Sequence, residues 1–140
     1  MPDGQCQCGA IRFEFSGAPS DASFCHCSIC RKLSGSAFAA YIEVARSDLR
    51  VLGDPALARR YAVTEKLTKL FCGTCGTPLF TEHSTFPGFT YVNLGALDSA
   101  EGVAPEYHQF VGSKARWYEI NDGLPQYHAW PESGTRSPGK

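Results

Sequence analysis

Seven cysteines gathered in three short clusters constrain this chain more than any other feature: Cys6 with Cys8, Cys25 with Cys27 and Cys30, and Cys72 with Cys75. Thiolates one or two residues apart converge readily on one tetrahedral zinc, each sulfur at about 2.3 Å from the ion. Neighbours this close make poor disulfide partners, and an odd total leaves one thiol over. Metal is the better reading.

The residues behind each cluster say which belong together. A chain wrapping a metal turns back sharply after its second ligand, and glycine takes the positive backbone angle that such a turn needs. CQCG at 6–9 and CGTCG at 72–76 both have it, whereas in CHCSIC at 25–30 the last cysteine is followed by Arg31 and Lys32. Cys6, Cys8, Cys72 and Cys75 therefore read as matched knuckles around a closed, four-thiolate structural zinc. Such a site closes a large loop and would contribute on the order of 10 kcal/mol to folding.

Cys25, Cys27 and Cys30 are left with a metal whose fourth position no cysteine fills. Three protein ligands and an open place are the arrangement of catalytic zinc. Three thiolates around a dication leave a net negative charge, and Arg31 and Lys32 stand ready to balance a further anion. A short helical turn capped by Ser28 and ended by Gly35 would set Cys30 near a positive helix terminus. Two other arrangements compete: His26 or His83 could close the site as a second structural zinc, or Cys27 and Cys30 could join Cys72 and Cys75 in an ordinary zinc ribbon. The ribbon would strand Cys6, Cys8 and Cys25 without a role.

A chain of 140 residues, 43% hydrophobic, is long enough for one domain with a real core. With 13 Lys and Arg against 14 Asp and Glu, charge argues against nucleic acid as the main partner. No stretch approaches the roughly 18 apolar residues of a membrane span, and no signal peptide is expected. A reducing cytoplasm fits thiolates kept available for metal.

The apolar periodicity is mostly two, in short runs. Ile11, Phe13 and Phe15 alternate with Arg12 and Glu14, and similar runs lie at 37–44, 49–52, 59–63, 67–71, 78–81, 90–94 and 108–111. Gly17, Asp54-Pro55, Pro87-Gly88 and Gly112 break them. This pattern predicts an all-β single domain of folded-over sheets over residues 1–130, stapled by zinc at strand ends. From 131 to 140 the chain is polar and rich in Ser, Gly and Pro, the composition of a disordered tail.

The order of motifs, CQCGAIRFEF, CHCSICRKLSGSAF, FCGTCGTPLF, LGALD and HQFVGSKARWYEI, resembles the family of glutathione-dependent formaldehyde-activating enzymes, whose domain also occurs in a centromere protein. The resemblance runs from Cys6 to about Tyr127 and implies an Mss4-like β-tent. It also implies a structural zinc on Cys6, Cys8, Cys72 and Cys75 and a second, active-site zinc on Cys25, Cys27 and Cys30, the partition that the glycines give independently. The implied activity is carbon–sulfur lyase chemistry on a small thiol such as glutathione, or on its aldehyde adduct. A non-catalytic, zinc-stabilised binding module is the alternative, and a chromatin or nucleic-acid contact is the weakest reading.

Other residues are candidates of lower rank. Lys114 in GSKARW could meet a substrate carboxylate, against a solvated loop lysine beside a packed Trp117. Arg31 could contact substrate or balance thiolate charge, and His26 could act as acid or base. His108, in an apparent strand next to Phe110, reads as a hydrogen-bonded structural histidine. Phe86, Phe89, Tyr91 and Trp117 could wall a pocket, though aromatics at strand spacing are more often core.

Overall fold

The run at 11–15 shows how the sequence builds the fold: Ile11, Phe13 and Phe15 are buried and Arg12 faces solvent, so the strand has one face for a core and one for water. The structure, a computed structural model, describes residues 1–131. Its strands are β1 (Asp3–Gln5), β2 (Ile11–Phe15), β3 (Ser20–Cys25), β4 (Ala39–Ala45), β5 (Leu49–Gly53), β6 (Ala58–Ala62), β7 (Leu67–Cys72), β8 (Pro78–His83), β9 (Phe89–Asn93), β10 (Leu97–Ser99) and β11 (Tyr107–Gln109). One short helix, α1 (Ser28–Ser34), joins β3 to β4. Of the segment expected to be a tail, Pro131 is buried and the rest lies outside the described residues.

The strands form two sheets, in the orders β10-β1-β2-β5 and β11-β3-β4-β9-β8-β7-β6. Apart from the parallel pair β11 and β3, neighbours are antiparallel, as short connections require. Phe13 of the smaller sheet meets Phe80 of the larger edge to face, ring centroids 5.2 Å apart, and Ile11, Phe15, Ile42, Val44, Leu79 and Val92 fill the space around them. Each such side chain contributes about 1.5–3 kcal/mol by leaving water. The expected all-β, single-domain, folded-sheet architecture is what forms.

β4 is buried on both faces. Ile42 and Val44 enter the core between the sheets, while Ala39 and Tyr41 enter a second cluster with Tyr91, Cys25, Cys27 and Cys30. Along that outer face, one row crosses the large sheet through Glu43, Tyr91, Thr81 and Lys69, paired strand to strand. Tyr91 Oη donates to Glu43 Oε2 at 3.2 Å. A polar row buried beside three thiols is where chemistry has been built into the fold.

Candidate metal centres and active site

The two cysteine turns, CQCG at 6–9 and CGTCG at 72–76, close alike on a glycine, the second being one residue longer. Gly9 N–H donates to the Cys6 carbonyl at 2.9 Å and Gly76 N–H to the Cys72 carbonyl at 2.8 Å. The two glycines have φ of 79° and 80°, the left-handed region their lack of a Cβ makes accessible. One turn sits between β1 and β2 and the other between β7 and β8, so the pair bridges the two sheets. Gln7 N–H reinforces the junction by donating to Thr77 Oγ1 at 2.9 Å.

The sulfurs of Cys6, Cys8, Cys72 and Cys75 all lie within 4.8 Å of one another. Cys6 and Cys8 Sγ are 3.6 Å apart, and Cys8 and Cys72 Sγ are 3.8 Å apart. A tetrahedron with sulfur at about 2.3 Å from its centre has edges of about 3.8 Å, so the donor set fits zinc. Electrostatics within the set are uneven: the Ala10 N–H lowers Cys8, but Cys6 and the other thiols carry it up to about 11, while two others are lowered. Thr77 hydrogen bonds hold the Cys75 thiol down at about 5. Burial works to raise Cys6, yet the Ile11 N–H and the neighbouring thiols bring it below its usual value.

Cys25, Cys27 and Cys30 form the second group, also within 4.8 Å and all buried. Neither the ribbon pairing nor a closing histidine is found: the two sets remain separate, and no fourth His, Cys, Asp or Glu among the described residues joins this trio. Cys25 ends β3 opposite Ala39, and the His26 N–H donates to the Gln109 carbonyl at 3.0 Å, which fixes the loop entering α1. The helix cap differs from expectation by one residue. Cys27, not Ser28, is the N-cap, its Sγ accepting from the Cys30 N–H at 3.4 Å, because a thiol in the right place can do what a hydroxyl does. Gly35 ends the helix as expected.

Crowding by Cys27 and Cys30, with burial, holds the Cys25 thiol far above its usual range. Cys30 is raised as well: the hydrogen bond with Cys25 lowers it, but Cys27 and burial outweigh that. Three buried thiols in this state become thiolates together only if a cation joins them, so this donor set also fits a zinc ion.

One polar chain reaches this trio and a second ends at His26, between Cys25 and Cys27 in sequence, and neither was visible in the sequence. In the first, Lys69 Nζ donates to Tyr41 Oη at 2.7 Å, and Tyr41 Oη lies 3.2 Å from Cys30 Sγ. An ammonium group can only donate, so the Tyr41 oxygen accepts from it and its own proton is free to point at Cys30. Burial, then the charge of Cys30, raises Tyr41 well above the usual phenol range, so that proton stays on. In the second, Asp122 Oδ2 accepts from His108 Nε2 at 2.7 Å, and His108 Nδ1 faces His26 Nε2 at 2.8 Å. A neutral His108 that donates to Asp122 accepts at Nδ1 from His26 Nε2, which leaves His26 Nδ1 unprotonated, whereas a protonated His108 reverses those roles. His26 Nδ1 is buried with no hydrogen-bond partner among the described residues. Burial, followed by the charges of His108 and Lys114, lowers His26 to about 4, so its ring is neutral.

The other candidates separate. Arg31 is half-buried, and its Nε is shielded from solvent without a hydrogen-bond partner. Lys114 Nζ donates to the carbonyls of Ala115 and Tyr118, closing its own loop. Trp117, expected to be packed, is 74% exposed, because the loop closes around Lys114 and not around the indole. Tyr91 is core and Phe89 packs on the trio, while Phe86 meets the His83 ring instead. His108 is the buried, hydrogen-bonded residue expected.

The sequence model of the glutathione-dependent formaldehyde-activating enzymes matches residues 1–113. A Halomonas elongata protein, provisionally named as such an enzyme, is 31% identical over 84% of this chain and 80% of its own. An uncharacterized lyase of Schizosaccharomyces pombe is 23% identical over 86% of this chain and 87% of its own. Among solved structures, a Rhodobacter sphaeroides protein is similar with a TM-score of 0.59 and 28% identity, over 89% of this chain and 98% of that one.

Proposed function

The chain belongs to the glutathione-dependent formaldehyde-activating enzyme family, and from that premise we propose that it is a carbon–sulfur lyase-type enzyme whose active site is the trio Cys25, Cys27 and Cys30. Its substrate would be a small thiol such as glutathione, or the aldehyde adduct of that thiol. The observation that carries this reading is a three-thiol group that gains no fourth protein ligand of the usual kinds among the described residues and is served by a buried Lys–Tyr pair. The names of its relatives, an aldehyde-activating enzyme and a lyase, support the same class.

Cys25, Cys27 and Cys30 would hold one zinc, and Cys6, Cys8, Cys72 and Cys75 a second that staples the sheets. Zinc at the trio supplies Lewis acidity and favours a thiol in its ionised form. In the direction of addition the thiol S–H bond breaks, a bond forms from sulfur to the carbonyl carbon, and the proton ends on the carbonyl oxygen; the lyase direction reverses this. Tyr41 directs its proton at Cys30 Sγ and brings the Lys69 charge to bear there, which steadies extra negative charge at the trio. With His108 neutral, His26 carries an unprotonated Nδ1 on the loop between Cys25 and Cys27, and it is the acid–base candidate of this site. Arg31, with its shielded Nε, is the adjacent cation for an anionic substrate group. Seven free thiols support a reducing compartment such as the cytoplasm.

Burial of all three thiols favours one other reading, a zinc-stabilised binding module without catalysis. Exchange NMR with carbon-13 formaldehyde and glutathione separates the two. The zinc-loaded protein should speed exchange between free aldehyde and adduct, and Cys27→Ser should abolish the effect. No acceleration by fully loaded protein, with glutathione and with simpler thiols, would leave the binding module.

A further inference from the structure

Lys69 is a buried ammonium group whose hydrogen-bond partners are both neutral: Tyr41 Oη at 2.7 Å and Thr81 Oγ1 at 3.1 Å. Its Nζ also sits 4.7 Å from the centre of the Tyr41 ring. No ion pair to a carboxylate involves it among the described residues. Glu43, the buried carboxylate of the same row, is three strands away, roughly 14 Å at about 4.8 Å per strand. Lysine is almost never buried without a partner of opposite charge. Here no carboxylate supplies one among the described residues, and the negative charge within reach is that of the trio, linked through Tyr41.

Beside Lys69 lies a cavity of about 430 Å³. Its wall draws on α1 through Leu33, on β4 through Tyr41, on the edge strand β6 through Tyr61, on its neighbour β7 through Phe71, and on Gly76 of the second cysteine knuckle. The lining is mostly apolar, contains no Asp or Glu, and carries one charged side chain, Lys69. A volume in the range of small-molecule sites, apolar walls and a single cation with no carboxylate beside it together describe a receptor for a compact acid. Tyr41 belongs both to this wall and to the trio, since its hydroxyl touches Cys30 Sγ.

We infer that this cavity binds a small organic anion with an apolar body, its anionic group on Lys69 and its body against Tyr61 and Phe71, and that this acid is the substrate class of the neighbouring cysteine trio. The second half of that statement rests on the lyase reading above; the binding site does not. It narrows the substrate to a carboxylate-bearing thiol or adduct whose remaining body is apolar enough to meet these walls.

Isothermal titration of the zinc-loaded protein with phenylacetate and with phenylacetamide tests the site, because the two differ in charge and hardly in shape. Phenylacetate should saturate one site and bind roughly tenfold or more tightly than the amide, the scale of one charge-assisted hydrogen bond. Lys69→Met should bring the two to equal affinity. Leu33→Trp, made at a helix position that is 40% exposed, should block the cavity with Lys69 intact, and it decides the matter if Lys69→Met fails to fold. Equal binding of acid and amide, no binding of the acid, or undiminished binding to folded Leu33→Trp overturns the inference. So does a Lys69→Met protein that keeps its preference for the acid and loses zinc, which would make Lys69 a partner of the thiolates alone. Phenylacetate carries no thiol, so its binding tests the site alone: binding with no acceleration of the aldehyde–thiol exchange would keep this site and remove the catalytic reading, and acceleration without phenylacetate binding would do the reverse.

Discussion

Replacing Cys6 and Cys72 together by serine should remove most of the metal-dependent stability of the fold. Both thiols are fully buried, and the knuckles they anchor join segments 64 residues apart, counted from Cys8 to Cys72. Cross-linking a loop of that length withdraws chain entropy from the unfolded state worth about 4 kcal/mol at 25 °C. This figure counts the closure alone, and zinc–thiolate affinity adds to it. The buried hydroxyls introduced by the variant have a cost of their own, so the quantity to measure is a difference. Urea unfolding of parent and variant, each with zinc and with a strong chelator, gives the metal-dependent increment for both. The increment should be smaller in the variant by at least about 4 kcal/mol, since only the parent can close the loop. Increments equal within about 1 kcal/mol would refute the four-cysteine staple, whatever the variant's absolute stability.

Tyr41→Phe deletes one buried hydroxyl and opens no cavity, but takes from the Lys69 ammonium one of its two hydrogen-bond acceptors; hydrogen bonds to charged groups are worth about 1.5–3 kcal/mol, and a loss near 2 kcal/mol in urea unfolding is expected. No measurable loss would mean that Lys69 has another partner. Asp122 is held below the ordinary carboxylate range, first by its hydrogen bond to His108. Its contribution to stability is therefore complete above pH of about 4 and is lost as pH falls through its lowered folded value, which carboxyl carbon-13 NMR reads directly. Titration at or above the ordinary value would break the chain from Asp122 to His26.

The knuckles were legible because each is local. Two thiols and the glycine that turns the chain back behind them fall within five residues, and Gly9 and Gly76 indeed take matching positive φ. Strands such as Ile11–Phe15 and Leu67–Cys72 were legible because one face is buried and the other is less so, which writes a period of two. β3 was missed since its sequence, SDASFC, mixes polar residues into both faces and its register shifts between Ser20 and Ser23. β1 and β10, at three residues each, are too short to show any period. The polar chains were illegible for another reason: His26 and His108 stand 82 positions apart, and Lys69 and Tyr41 stand 28 apart, so only the folded sheet brings them together. One signal was present. Lys69 shares the inward parity of Leu67, and a lysine on the apolar side of a strand has to meet something there.

The central claim is that the trio holds a metal with a place left for a substrate sulfur. The most direct test is the visible and near-ultraviolet spectrum of the cobalt-substituted protein, titrated with glutathione and with mercaptopropionate, because sulfur-to-cobalt charge transfer reports the number of thiolates on the ion. A saturable rise in charge-transfer intensity, lost in Cys27→Ser, is the result expected. An unchanged spectrum at saturating thiol, in protein carrying cobalt at Cys25, Cys27 and Cys30, would contradict it.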